Sequence, residues 1–140
     1  MTDLTRFRTA QDAIWPAPLE EIRAGAKRTH WMWFVLPQLR GLGHSAMAER
    51  YGLDGLAEAR AYRADPVLGD RLAQMAAALM QHRDRRAETI LGGIDALKLR
   101  SCATLFQAAG EPSFGEVLAA FFDGPDPETL RRLQGERDRG

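Results

Sequence analysis

Lysine is rare in this chain. Of 19 basic residues 17 are arginine, and the two lysines are Lys27 and Lys98. An ammonium is a compact point charge with rotatable donors, whereas a guanidinium is a planar fork. A lysine retained where the sequence otherwise writes arginine is therefore a candidate for work that a point charge does. Lys27 opens the stretch Lys27-Arg28-Thr29-His30-Trp31-Met32-Trp33-Phe34-Val35-Leu36-Pro37-Gln38, in which two cations and a histidine run straight into two tryptophans and a phenylalanine. The chemistry on offer is anion capture by Lys27 and Arg28, stacking of a planar group such as a base on Trp31 or Trp33, and proton transfer by His30, because histidine titrates near neutrality. Gln38 adds an amide that can orient a ligand by hydrogen bonds. Lys98 lies in Asp95-Ala96-Leu97-Lys98-Leu99-Arg100-Ser101-Cys102, where Ser101 supplies a hydroxyl.

Both stretches are poor in acid. No Asp or Glu occurs from Ile22 to Ala48, a window holding Arg23, Lys27, Arg28, Arg40 and two histidines, and none occurs between Asp95 and Glu111. Cations gathered without an anion repel one another. If the fold joins the two stretches, Lys27, His30, Trp33 and Lys98 are expected to line one cleft, with a phosphorylated or nucleotide-like ligand as the missing anion. The same residues also suit a plainer reading, with the tryptophans in the core, the cations solvating its edge and the arginine bias reflecting a GC-rich coding sequence.

Helix signals supply the elements that must position these residues. Asp3 can cap a first helix carrying Leu4, Phe7 and Gln11 or Ile14, and Pro16 and Pro18 open a second through Leu19 and Ile22 that stops at Gly25. Thr29 is placed to cap the apolar segment Trp31–Leu36, and Ser45 a helix reaching Tyr51. Asp54 caps Leu56–Ala64, and Asp65-Pro66 starts a long helix with Leu68, Leu72, Met75 and Leu79 at helical spacing. After a short segment at Ala87–Leu91, Asp95 caps Ala96–Ala109 with Leu97, Leu105 and Ala108 inward, Ser113 caps Phe114–Phe122, and Asp126-Pro127 starts a last helix through Leu133. No alternating strand pattern and no repeat interrupts this. The expectation is one all-α domain over residues 1–140, of seven to nine helices, ordered over about 4–134 with a frayed tail at 135–140. Phe7, Leu72, Leu79, Leu105, Phe106, Leu118 and Phe121 are its expected core.

The motif Gly25-Ala26-Lys27-Arg28-Thr29-His30-Trp31-Met32-Trp33-Phe34, followed by Pro37-Gln38-Leu39-Arg40-Gly41-Leu42-Gly43, resembles the central motif of the family called domain of unknown function 1810. Glu58-Ala59-Arg60-Ala61-Tyr62, Pro66-Val67-Leu68-Gly69-Asp70-Arg71-Leu72 and Asp95-Ala96-Leu97-Lys98-Leu99-Arg100-Ser101 with Thr104-Leu105-Phe106 extend the similarity over Leu4 to about Leu133. The resemblance implies a compact, all-helical bacterial domain and supplies no reaction. Departures are Trp15 for tyrosine, Thr29 for serine, Leu36 for phenylalanine and Cys102 for serine, the last of which removes a hydroxyl nucleophile at that position.

Composition narrows the field further. In 140 residues, 45% apolar and 27% charged, a soluble globular core is affordable. Balanced charge, 19 against 19, argues against a protein that coats nucleic acid. The longest wholly apolar run is too short for a membrane span, and the start reads unlike a signal peptide, so a soluble cytoplasmic protein without membrane contact is expected. A single cysteine excludes an internal disulfide and a cysteine-based metal site, and the three histidines have no paired spacing. No phosphate-binding loop, dinucleotide fingerprint or nucleophile elbow is present, so no cofactor or metal is expected. Cys102, on an apolar run, reads as an inert buried thiol, and Glu58 and Tyr62, four apart, could form a carboxylate–phenol pair. Two functions of different class follow: a small-molecule site for an anion, catalytic or binding, and a non-enzymatic module that docks a protein partner through an exposed tryptophan patch.

Overall fold

The computed structural model describes residues 2–139, and among these residues ten helices and no strand are formed. The helices are α1 (Thr5–Asp12), α2 (Ala17–Arg23), α3 (Met32–Val35), α4 (Ala46–Tyr51), α5 (Leu56–Ala64), α6 (Pro66–Met80), α7 (Ala87–Leu91), α8 (Gly93–Ala108), α9 (Pro112–Phe121) and α10 (Pro127–Arg139). The all-α class stands; the count exceeds seven to nine because the short α3 and α7 each complete a turn of their own. Three caps are local. Asp65 accepts the N–H groups of Val67 and Leu68, and Pro66 stands at the first position of α6. Ser45 accepts from Ala48 N–H, and Asp126 accepts from Thr129 N–H.

Four other caps are not as the sequence implied. The first N–H of α5 goes to Glu136 on α10, while Asp54 pairs with Arg40. Glu111, not Ser113, caps α9 by accepting Ser113 N–H. Trp31 precedes α3 without a side-chain cap, and the Thr29 hydroxyl donates to Glu21 instead. Gly92 precedes α8, which places Asp95 inside its first turn.

Packing is organised on the two longest helices. α6 lies against α1, α2, α5 and α9, and α8 against α5, α7, α9 and α10. One contiguous core joins them, and Phe7, Leu72, Leu79, Leu105, Phe106 and Leu118 are in it. Two expected faces differ. Leu97 is 69% exposed, because Leu99, Cys102 and Phe106 turn inward and a residue two positions from Leu99 lies about 200° away around the helix. Phe121 is only half-buried, as the last residue of α9, on a groove facing the start of α8. The last helix includes Gly135 and runs to Arg139.

Two devices hold α3. The buried Gln11 amide donates to Phe34 C=O at 2.7 Å and to Tyr62 Oη at 2.8 Å, closing off a carbonyl at the end of a helix too short to use it. Tyr62 is therefore not paired with Glu58, which binds Arg6 instead. Burial raises the Tyr62 phenol above its ordinary range and does the same to the Cys102 thiol, which stays protonated and inert. Beyond α3, an isolated parallel bridge pairs Leu39 with Leu53, with Arg40 N–H on Leu53 C=O and Leu53 N–H on Gln38 C=O. Gly52 is required beside it: a Cβ there would lie 2.5 Å from Arg40 Cα. This bridge fixes Gln38 and the start of the α3–α4 connection.

Candidate functional site

The fold does bring the two lysines together, on a carboxylate of the chain itself. Lys27 Nζ is 2.9 Å from Asp95 Oδ2 and Lys98 Nζ is 3.8 Å from Asp95 Oδ1. The gathered positive charge thus has an internal anion, and the two ammoniums share it unequally. Lys27 has a side chain only 7% exposed and also donates to Thr29 C=O at 2.6 Å, with its own N–H on Ile90 C=O. Its ammonium is 5.0 Å from the Trp31 ring centroid. Every feature of Lys27 ties the 25–30 loop to the α7–α8 junction, as a structural ion pair does.

Lys98 is held differently. Its ammonium makes no hydrogen bond among the described residues, stands beyond hydrogen-bond distance from Asp95 and lies 5.0 Å from the Trp33 ring centroid. It faces a small cleft lined by Met32, Trp33 and Leu36 from the α3 segment, Gln38, Ala48, Tyr51 and Gly52. Most of the lining residues are apolar, and Gln38, Tyr51 and Lys98 carry polar side-chain groups. Its free volume is about 10 Å³, room for one water molecule.

The remaining residues distribute as follows. Trp33 and Gln38 line the cleft with Lys98. Trp31 does not: it is fully buried, with Nε1 donating to Glu21 Oε1 at 3.0 Å. Arg28 is exposed, and its backbone N–H, not its guanidinium, is engaged, on Glu21 at 2.7 Å. His30 is exposed, makes no hydrogen bond or ion pair among the described residues and does not line the cleft. Ser101 is buried in the third turn of α8, where its hydroxyl approaches Leu97 C=O of its own helix. Nor do the tryptophans make an exposed patch, since one is buried and the other lies beneath Lys98. The exposed large apolar side chains are Ile94, Leu97 and Leu130.

Three contributors were not legible as such. Glu21, one residue outside the acid-free window, accepts from Arg28 N–H, Thr29 N–H, the Thr29 hydroxyl and the Trp31 indole. Partial burial opposes its ionisation, but the four hydrogen bonds prevail and bring its carboxyl down to about 2. The only sequence signal for it was proximity to unpaired donors. Asp95 looked like a cap, and Tyr51 was read only as the end of its helix, whereas its ring packs on Phe7 and Phe34.

Comparison with known proteins agrees with this architecture. The chain matches the family described as "Protein of unknown function (DUF1810)" over residues 1–133. It is also similar to a solved structure, the conserved hypothetical protein Rv1873 from Mycobacterium tuberculosis, with 45% sequence identity, a TM-score of 0.92, and 94% of this chain and 96% of that chain covered. No curated protein matches the chain. A match running from the first residue through α3, α8 and most of α10 makes the chain a member of the DUF1810 family.

Proposed function

We propose that this protein binds a small anionic ligand at the cleft between α3, α4 and α8, with Lys98 as the anion receptor, Trp33 as the stacking surface and Gln38 as the orienting amide. One observation carries the reading. The Lys98 ammonium, on an apolar cleft beside an indole face, has three donors and no hydrogen-bond acceptor among the described residues, while its neighbour Lys27 has two acceptors. A charge left this way can exchange its indole contact for a ligand's anionic group. Lys27 and Trp31 support the site from behind by fixing the α7–α8 junction and the start of α3. His30 has no part in it, so the reading is of a binding site.

The experiment is a titration of Trp33 emission, with Trp15 and Trp31 replaced by phenylalanine where folding permits, against a panel of small carboxylates and phosphate esters. Saturable quenching that weakens with salt and disappears in Lys98→Met is expected. Equal binding by Lys98→Met would overturn the assignment.

A protein-interaction module is the second reading, and a separate observation supports it. Leu97, 69% exposed near the start of α8, shares a groove with the half-buried Phe121 and Phe122, and Ile94, 74% exposed, lies three residues before it on the same helix. Apolar side chains gathered and left bare in this way are candidates for covering by a partner. That reading predicts that Leu97→Asp abolishes an interaction while ligand binding at Trp33 is untouched.

A further inference from the structure

We infer that the ligand class is a planar aromatic monoanion, such as an aromatic carboxylate, rather than the phosphorylated or nucleotide-like dianion that the acid-free stretches implied; this rests on the cleft being the binding site. The argument is one of charge and shape. Lys27, Lys98 and Asp95 form a closed group with one positive charge in excess. Arg28 and His30, the other cations expected here, do not line the cleft, and neither does Arg50, whose guanidinium lies 5.4 Å from the Tyr51 ring centroid. One negative charge neutralises the group; a second would sit beside the Asp95 carboxylate and an apolar lining without a partner, which is costly.

Shape follows from what Lys98 now covers. Its ammonium occupies the face of Trp33, and the cleft beside it holds no more than one water molecule. A ligand ring must therefore take the place of the ammonium on the indole while the ammonium moves onto the ligand's anionic group. That exchange replaces a cation–π contact and a loose ion pair with a stacked pair and a close, charge-assisted hydrogen bond, and leaves Asp95 on Lys27. A saturated ring lacks the flat face for the first contact, and an inorganic anion lacks the ring.

The test compares naphthoate, naphthyl phosphate (dianionic near pH ~8) and cyclohexanecarboxylate, by calorimetry and by the Trp33 indole N–H resonance of the full chain. Naphthoate is expected to bind at least about tenfold more tightly than either of the others. Asp95→Asn, which raises the excess to two positive charges, is expected to bring the phosphate to parity or better. If wild-type protein binds naphthyl phosphate as tightly as naphthoate, with Trp33 shifting, the site stands and the monoanion inference falls. If cyclohexanecarboxylate equals naphthoate, the stacking argument falls. If none of the three moves the Trp33 resonance, the binding-site reading itself falls. The wild-type comparison decides these outcomes even where Asp95→Asn fails to fold.

Discussion

The two lysines are one residue type in two roles, and substitution should separate them. Lys27 is nearly buried, with Asp95 and Thr29 C=O as acceptors, so Lys27→Met removes a charge whose partner stays behind. The loss should be about 2–4 kcal/mol in urea unfolding, since breaking such a pair leaves an uncompensated group. Lys98→Met should change stability by less than about 0.5 kcal/mol, because the pair it breaks is long and more exposed, yet it should lose the anion. Glu21 gives a pH signature. Its carboxyl lies at about 2 in the folded chain against an ordinary 4.5, so its contribution is fully present above the ordinary value and is lost as pH falls through about 2. With allowance for solvent screening, the contribution should be about 1–2 kcal/mol. Unfolding of wild type and Glu21→Gln, followed from about pH 6 to about pH 2, should show a stability gap that closes across that interval; a gap independent of pH would mean that shape, not charge, makes Glu21 useful.

At the level of elements, legibility depended on whether a side chain's partner was near in sequence. Asp65, Ser45 and Asp126 cap as read because the competing groups are the N–H groups two and three residues on, which are always within reach. Asp54, Thr29 and Asp95 carry the same cap chemistry, but Arg40, Glu21 and Lys27 arrive from elsewhere and engage them first. The candidate site divides in the same way. Acid-free patterning set Lys27 and Lys98 side by side in one cleft, whereas they meet on Asp95, an anion hidden as a local cap, and only Lys98 lines the cleft; Trp31 was indistinguishable from Trp33 because neighbouring aromatic residues differ only in the direction that tertiary packing assigns. The contrast is measurable. Asp65→Ala should destabilise by about 1–2 kcal/mol, the loss of a working cap. Asp54→Ala should fall below about 0.5 kcal/mol, since the first N–H of α5 rests on Glu136 and the Asp54 pair with Arg40 is exposed.

At the scale of the whole molecule, the buried apolar side chains of the described residues form one contiguous cluster. Phe106 of α8 touches Tyr62 of α5 and Phe114 of α9; Tyr62 touches Phe7 of α1 and shares the Gln11 amide with α3. A void opened at Phe106 therefore faces the elements that hold α3, and with them Trp31 and Trp33. Phe106→Ala should cost about 3–5 kcal/mol, the range for emptying a fully packed aromatic site. Tryptophan emission samples the start of α3 and the turn between α1 and α2, while helical circular dichroism is dominated by α6, α8 and α10. If the core is continuous, the two signals should follow one unfolding transition in wild type and in Phe106→Ala, with both midpoints lowered equally. An emission change that precedes the loss of helix would show instead that α3 and its cleft form a separate unit, opened without unfolding α6 and α8. The distinction bears on binding. In a single cooperative unit, a ligand at Trp33 and Lys98 should raise the midpoint of both signals together, whereas in a divided one it would raise the emission midpoint alone.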